Sequence, residues 1–216
     1  MEKIRVSLKI SEDKSYDILI GEGILGRIPG DLKEAGLAHR FAVITDSNVE
    51  KLYGGALLRE FKGAGLDAKL ISFPAGEMYK SRETKARIED SMLESKFGRD
   101  SAVVALGGGV AGDIAGYVAA TYTRGLPYVQ VPTTLVACVD SSIGGKTAVD
   151  TPHGKNLIGA FHQPWRVYID VNTLITLGEK EIREGLAEVI KYGVIMDEAL
   201  FSFLERSMGK IFAHDR

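Results

Sequence analysis

The chain has 216 residues, 45% hydrophobic and 26% charged, with room for one large domain or one domain and part of another. A formal net charge of -2 leaves no basic footprint for nucleic acid, and the single cysteine, Cys138, excludes an internal disulfide and fits a reducing compartment. No apolar run approaches the ~20 residues that span a bilayer, and the opening MEKIRVSLKI lacks a signal-peptide core, so a cytoplasmic protein is expected, with neither nucleic acid nor membrane as a partner.

In chain order, KIRVSLKI alternates like a half-exposed strand, and SYDILIG reads as its hairpin partner. A helical patch follows at 24–37. RFAVITD is a continuous apolar run ending in an acid, the pattern of a buried parallel strand. NVEKLYGGALLREFKGAG reads as a helix that stops at glycine, and DAKLISFPAGE as a second buried strand. SRETKARIEDSMLESKFG is an amphipathic helix with Ser81 as its N-cap. SAVVALGGG is a strand, VAGDIAGYVAATYT a helix, LPYVQVPTT a strand and RVYIDV another. This alternation predicts an α/β fold, a Rossmann-like, doubly wound and mostly parallel sheet with an N-terminal hairpin. Beyond Gly178 every signal is helical, so a boundary is placed there: 1–178 form the α/β domain, and 179–216 are the first helices of an α-helical C-terminal domain. Two helices cannot bury a core of their own.

Several stretches carry chemistry. Gly107, Gly109 and Gly112 match G-x-G-x-x-G between a strand and a helix. Such a turn lets the backbone close on a pyrophosphate at a helix N-terminus, although a tight βα turn would use the same glycines. The motif follows the third buried strand rather than the first, which is unusual for a dinucleotide fold. Asp113, within phosphate range, is expected to meet a hydroxyl or a cationic ring.

Gly145-Lys146-Thr147 resembles the end of a P-loop, but Asp140 stands where its first glycine belongs and the preceding run is helical, which excludes that motif. Asp140, Lys146, Lys155 and Asn156 then lie on a glycine-rich loop suited to a phosphorylated, hydroxylated small molecule; a solvated surface loop is the plainer alternative. Asp46 and Asn48, Glu77 and Lys80, and Thr133 and Thr134 follow successive strands, where open parallel sheets place their ligands. Any one of them alone would be a turn or cap residue.

In GLAEVIKYG, Glu188 and Lys191 stand three apart on one helical face, as an ion pair or as a metal ligand beside a substrate lysine. A catalytic zinc takes three protein ligands, and none of the four histidines, His39, His153, His162 and His214, has H-x-x-x-H spacing.

Taken together, PAGEMYK, GGGVAGDIAGYVAATYTRG, VPTTLVACVDSSIGGKTAVDTPHGKNLIGAFHQP and GLAEVIKYG resemble the 3-dehydroquinate synthase family of sugar-phosphate cyclases. The matching runs cover about half the chain. The resemblance implies an N-terminal NAD-binding domain and a C-terminal helical domain carrying metal and substrate groups. It implies NAD contacts at Asp46, Asn48, Glu77 and Lys80, and at the segment from Gly108 through Gly109 to Asp113, with Thr133, Thr134, Thr173 and Thr176 beside the cofactor. Asp140, Lys146, Lys155 and Asn156 would lie between nicotinamide and substrate. Arg124 would serve the neighbouring subunit of a homodimer, Lys191 would hold the substrate, and Glu188 would bind zinc or cobalt.

The implied reaction is cyclisation of 3-deoxy-D-arabino-heptulosonate 7-phosphate with NAD regenerated each turn, a lyase of the shikimate pathway. Family members supply two further metal histidines later in the chain, so these residues are expected to be the N-terminal part of a longer protein and inactive alone. Another sugar-phosphate cyclase, an NAD- and metal-dependent polyol dehydrogenase and a stand-alone NAD-binding module are the alternatives.

Overall fold

The computed structural model describes residues 13–213. The first strand expected from sequence, and with it the hairpin, falls in residues 1–12 and lies outside the described residues, as does His214. The expected partner of that strand is β1 (Asp17–Gly21), which leads through a 3-10 turn into α1 (Ile28–Glu34) and β2 (Arg40–Asp46). A single helical run follows, made of α2 (Ser47–Val49), a π turn (Glu50–Gly54) and α3 (Gly55–Gly63). Then come β3 (Asp67–Phe73), α4 (Arg82–Glu94), β4 (Ser101–Gly107), α5 (Gly109–Thr121) and β5 (Tyr128–Pro132). A π turn (Ala137–Ser141) precedes β6 (Lys146–Thr151), β7 (Gly154–Phe161) and β8 (Arg166–Asp170), and α6 (Glu179–Met196) and α7 (Glu198–Phe212) end the described chain.

Six strands form one sheet in the order β1-β8-β5-β4-β2-β3, every pair parallel. Side-chain alternation divides the core between its two faces. Phe41, Val43, Val104 and Leu106 meet Ile28, Leu32, Leu57 and Phe61 of α1 and α3. Ala42, Ile44, Val103 and Ala105 meet Ile88 and Met92 of α4 and Ile114 and Val118 of α5. All seven residues of β4 are buried, as its unbroken apolar run requires in a central parallel strand, whereas edge strand β3 alternates and keeps Asp67 and Lys69 outward. Ser81 caps α4 by accepting the Thr84 amide at 3.2 Å. From β2 the chain winds outward to β3, then crosses to β4 on the other side. The strand order therefore reverses between β2 and β4.

One expectation is corrected. The segment read as a lysine-bearing loop is an antiparallel hairpin, β6–β7, pairing Lys146 with Phe161 and Ala148 with Gly159. Its inner residues Val149 and Ile158 pack against the α4–α5 side of the core. That packing turns a weakly patterned sequence into a sheet. Helices α6 and α7 pack on each other around Ile182, Leu186 and Leu204, with Leu135 and Leu177 beside them. Val194, Ile195, Met196 and Phe203 of this pair remain exposed.

Candidate functional site at the strand switch

The carboxyl ends of β2 and β4 lie side by side where the strand order reverses, the position at which open α/β sheets hold ligands. This placement accounts for a glycine motif after the third buried strand: β4 borders the switch. Gly107 closes the turn at φ 152, a region that L side chains rarely adopt. A Cβ on Gly108 would stand 2.9 Å from Thr134 Cγ2, so the backbone can run this close to the wall only without a side chain. Gly108 caps α5 with no side-chain hydrogen bond, and the first turn of α5 holds no acid, leaving its amides for an anion.

A cleft of about 830 Å³ opens there. It is lined by Asp46, Asn48, Glu77, Lys80, Gly108, Gly109, Asp113 and Thr134, and by Lys155, Asn156 and Thr176, which the resemblance places at the same site. A second cavity of about 440 Å³ is lined by Asp140, Lys146, Ala148, Leu157 and Phe161. Asp113, Ser141 and Asn156 line both, so the two cavities are neighbours.

Between them stands a buried ion pair. Lys80 Nζ lies 2.5 Å from Asp113 Oδ2 and donates to Asn156 Oδ1 at 2.5 Å. Within this chain Asp113 meets the Lys80 ammonium, which is neither the hydroxyl nor the cationic ring expected from the sequence. Burial pushes the Asp113 carboxyl above the usual carboxylate range, and the Lys80 charge offsets part of that rise. Asn156 holds φ 57, and its amide donates to Asp150 Oδ1 at 2.9 Å, while the Asp150 amide donates to the Lys80 carbonyl at 2.7 Å. These bonds clamp the hairpin onto the loop after β3.

The other expected residues are placed as follows. Asp46 Oδ1 caps α2 by accepting the Asn48 and Val49 amides, and Oδ2 faces the Gly107 turn. Lys155 and Glu77 pair at 2.7 Å in the open, and that hydrogen bond raises the Lys155 pKa. Thr133 and Thr173 are buried behind the cleft; Thr173 Oγ1 donates to the Asp170 carbonyl, and Thr176 shares a 2.8 Å hydrogen bond with Tyr53. Arg124 is exposed beyond the far end of α5, roughly 20 Å from the glycine turn at 1.5 Å per helical residue. It does not belong to the cleft of its own chain.

Glu188 and Lys191 pair with each other on α6, closer to the ion-pair reading, and the Glu188 hydrogen bond raises the Lys191 pKa. Among the described residues no group of three His, Cys, Asp or Glu side chains could hold a metal, so these residues alone do not fit one. They do fit a dinucleotide: an uncapped helix N-terminus, a glycine cradle and the buried, unpartnered Ser141 Oγ surround one cleft.

Sequence reasoning missed Ser141, although it adjoins Asp140. It also missed Tyr192, whose phenol reaches Asp140 from α6. His162 is structural: its ring stacks on Tyr128, and Nε2 lies 2.8 Å from the Leu126 carbonyl. No helix among the described residues is long and apolar enough to cross a membrane.

A doubly wound parallel sheet, with a glycine-turned helix N-terminus at its switch point and a lysine-bearing cavity beside it, defines the class as a doubly wound α/β protein with a ligand cleft at its strand switch. The chain belongs to the 3-dehydroquinate synthase N-terminal family, whose model matches residues 70–184. It is 50% identical to the 3-dehydroquinate synthase of Geobacter metallireducens over 216 residues, all of this chain and 59% of that protein. Among solved structures, it resembles the 2-epi-5-epi-valiolone synthase of Streptomyces hygroscopicus with bound NAD+ and Zn2+, at 34% identity and TM-score 0.87, over 98% of this chain and 57% of that one. It also resembles a 2-deoxy-scyllo-inosose synthase complexed with carbaglucose-6-phosphate, NAD+ and Co2+, at 28% identity and TM-score 0.77, over 82% and 48% of the two chains. The chain thus spans between 48% and 59% of the length of these three relatives.

Proposed function

We propose that this chain is the cofactor-binding part of a 3-dehydroquinate synthase. The enzyme converts 3-deoxy-D-arabino-heptulosonate 7-phosphate to 3-dehydroquinate and phosphate, a step of the shikimate pathway in the cytoplasm. The observation that carries this reading is the 50% identity, across the whole chain, to a relative of that name. NAD supplies a temporary hydride acceptor that is restored within each turnover, so the net reaction is a lyase's.

In this reading residues 1–178 bind the cofactor. Asp46, Asn48, Glu77 and Lys80 take its polar groups, the segment Gly108 to Asp113 meets its pyrophosphate, and Thr133, Thr134, Thr173 and Thr176 shape the surrounding wall. Asp140, Lys146, Lys155 and Asn156 orient the substrate against the nicotinamide, the lysines neutralising phosphate and carboxylate. Residues 179–216 open a helical domain in which Lys191 holds the substrate. Glu188 there supplies one ligand of a zinc or cobalt site whose other ligands lie outside the described residues. Arg124, exposed beyond the far end of α5, serves the neighbouring subunit of a homodimer.

The test is phosphate release from the heptulosonate phosphate by the protein expressed from its whole gene. Release with no net NADH supports the reading. Net NADH would indicate a polyol dehydrogenase, and no release from this substrate would sink it. The 216-residue chain alone is expected to bind NAD without turnover; phosphate release by it would refute the assignment of essential groups elsewhere. The likeness to the valiolone synthase favours one second reading, a sibling cyclase, which a sugar-phosphate substrate panel separates.

A further inference from the structure

Tyr192 joins two parts of the molecule that chain order keeps 52 residues apart. Its Oη lies 3.2 Å from Asp140 Oδ1 and 3.2 Å from the Val139 carbonyl oxygen, so one phenol proton is shared between two acceptors on the Ala137–Ser141 turn. Asp140 lines the lysine-bearing cavity. On α6, Tyr192 follows Lys191 directly and stands one turn beyond Glu188, so all three move with one helix. One further contact keeps α6 close to this turn: a Cβ on Gly185 would stand 2.4 Å from Leu135, so the helix seats there only because that position lacks a side chain.

We propose that Tyr192 is a positioning residue for the substrate cavity: its phenol ties α6 to the Ala137–Ser141 turn and holds the Asp140 carboxylate at a set distance from Glu188 and Lys191. The catalytic part of this inference rests on the cyclase reading above. A carboxylate on a short turn can exchange among rotamers, and a charge-assisted hydrogen bond from a helix favours one of them. Without the phenol, Asp140 and the pair on α6 remain present but lose their common register. That is a loss of orientation rather than of binding.

The tie is readable without turnover. The Tyr192 phenol is held above its ordinary pKa by burial first and by the Asp140 charge second, with Glu188 raising and Lys191 lowering it. In protein expressed from its whole gene and labelled with 13C at tyrosine Cζ, Asp140→Asn is expected to move the Tyr192 titration clearly downward. An unmoved titration overturns the tie.

For the catalytic role, Tyr192→Phe is expected to lower kcat roughly tenfold while KM and NAD affinity change by less than about threefold. The double variant Tyr192→Phe/Asp140→Asn should be no slower than Asp140→Asn alone, because both changes break one contact. Independent, multiplying losses, or an unchanged kcat in Tyr192→Phe, overturn the positioning role. A wild-type protein that releases no phosphate would fail the cyclase reading and with it the catalytic role, while the phenol titration still decides the tie.

Discussion

The chain makes close lysine–carboxylate pairs in two settings. At the strand switch, Lys80 and Asp113 meet with side chains 7% and 14% exposed. On α6, Lys191 and Glu188 meet with side chains 45% and 32% exposed. Burial, more than contact distance, separates them. The first pair is surrounded by two cavities, a clamped hairpin and α5, so each charge depends on the other to offset desolvation. The second lies on a helix pair whose small core leaves Val194, Ile195, Met196 and Phe203 in solvent, where water already satisfies both charges. The switch pair is enclosed by the central sheet, α5 and the hairpin, whereas the α6–α7 pair has a small core of its own beside Leu135 and Leu177.

Substitutions ranked by their effect on folding sharpen that contrast. Gly107→Val is expected to cost the most. It places a β-branched residue at φ 152 and a Cβ 2.7 Å from that of Ala111, at about 3 kcal/mol or more in urea unfolding. The displaced turn should weaken NAD binding at least about 100-fold by calorimetry, since it carries the helix N-terminus with it. NAD affinity within a few-fold of wild type would remove this cleft as the cofactor site.

Lys80→Met ranks next, at about 3 kcal/mol near neutral pH, because it leaves Asp113 buried without its cation. The loss has a pH signature. The folded-state pKa of Asp113 is already raised by burial, and removing Lys80 raises it further. The stability associated with a raised carboxyl is fully present below its unfolded pKa, about 3.9, and is lost as pH rises through the folded value. The deficit of Lys80→Met should therefore be small in acid and grow towards neutrality, and Asp113→Asn added to it should recover much of the loss. A deficit independent of pH would show that Lys80 acts through packing of its stem alone.

The part of this arrangement legible in the sequence is the part set by local rules. Runs such as RFAVITD and SAVVALG announce central strands because both faces of a doubly wound sheet are covered, and the turn after β4 announces itself by glycine. Strand order is not legible in local patterns, so a glycine motif after the third buried strand reads as displaced although β2 and β4 are adjacent. The β6–β7 hairpin read as a loop because its polar and glycine-rich residues alternate weakly, and its strand character comes from packing Val149 and Ile158 on the core. The partners Lys80–Asp113 and Tyr192–Asp140 are joined by tertiary contact, for which no local period exists. The resemblance of long motifs named the candidate residues, but it did not say that Lys80 and Asp113 face each other or that Asp46 uses one oxygen to cap a helix.

The smallest effect on folding is expected from Glu188→Gln. The pair it breaks is close and hydrogen-bonded, and the Lys191 ring neighbour Tyr192 sits 4.7 Å from its ammonium, so distance alone would suggest a structural anchor. Solvent argues otherwise. Both side chains are substantially exposed, three residues apart on one helix, where ion pairs of this kind contribute little and salt weakens them further. Thermal unfolding of Glu188→Gln should be indistinguishable from wild type at moderate salt. Under the cyclase reading, the same change in the protein expressed from its whole gene should abolish phosphate release. A glutamate that matters for turnover and not for folding is what a ligand-facing position predicts. A drop of several degrees in Tm would show that the pair anchors α6, and unchanged phosphate release would remove Glu188 as a metal ligand.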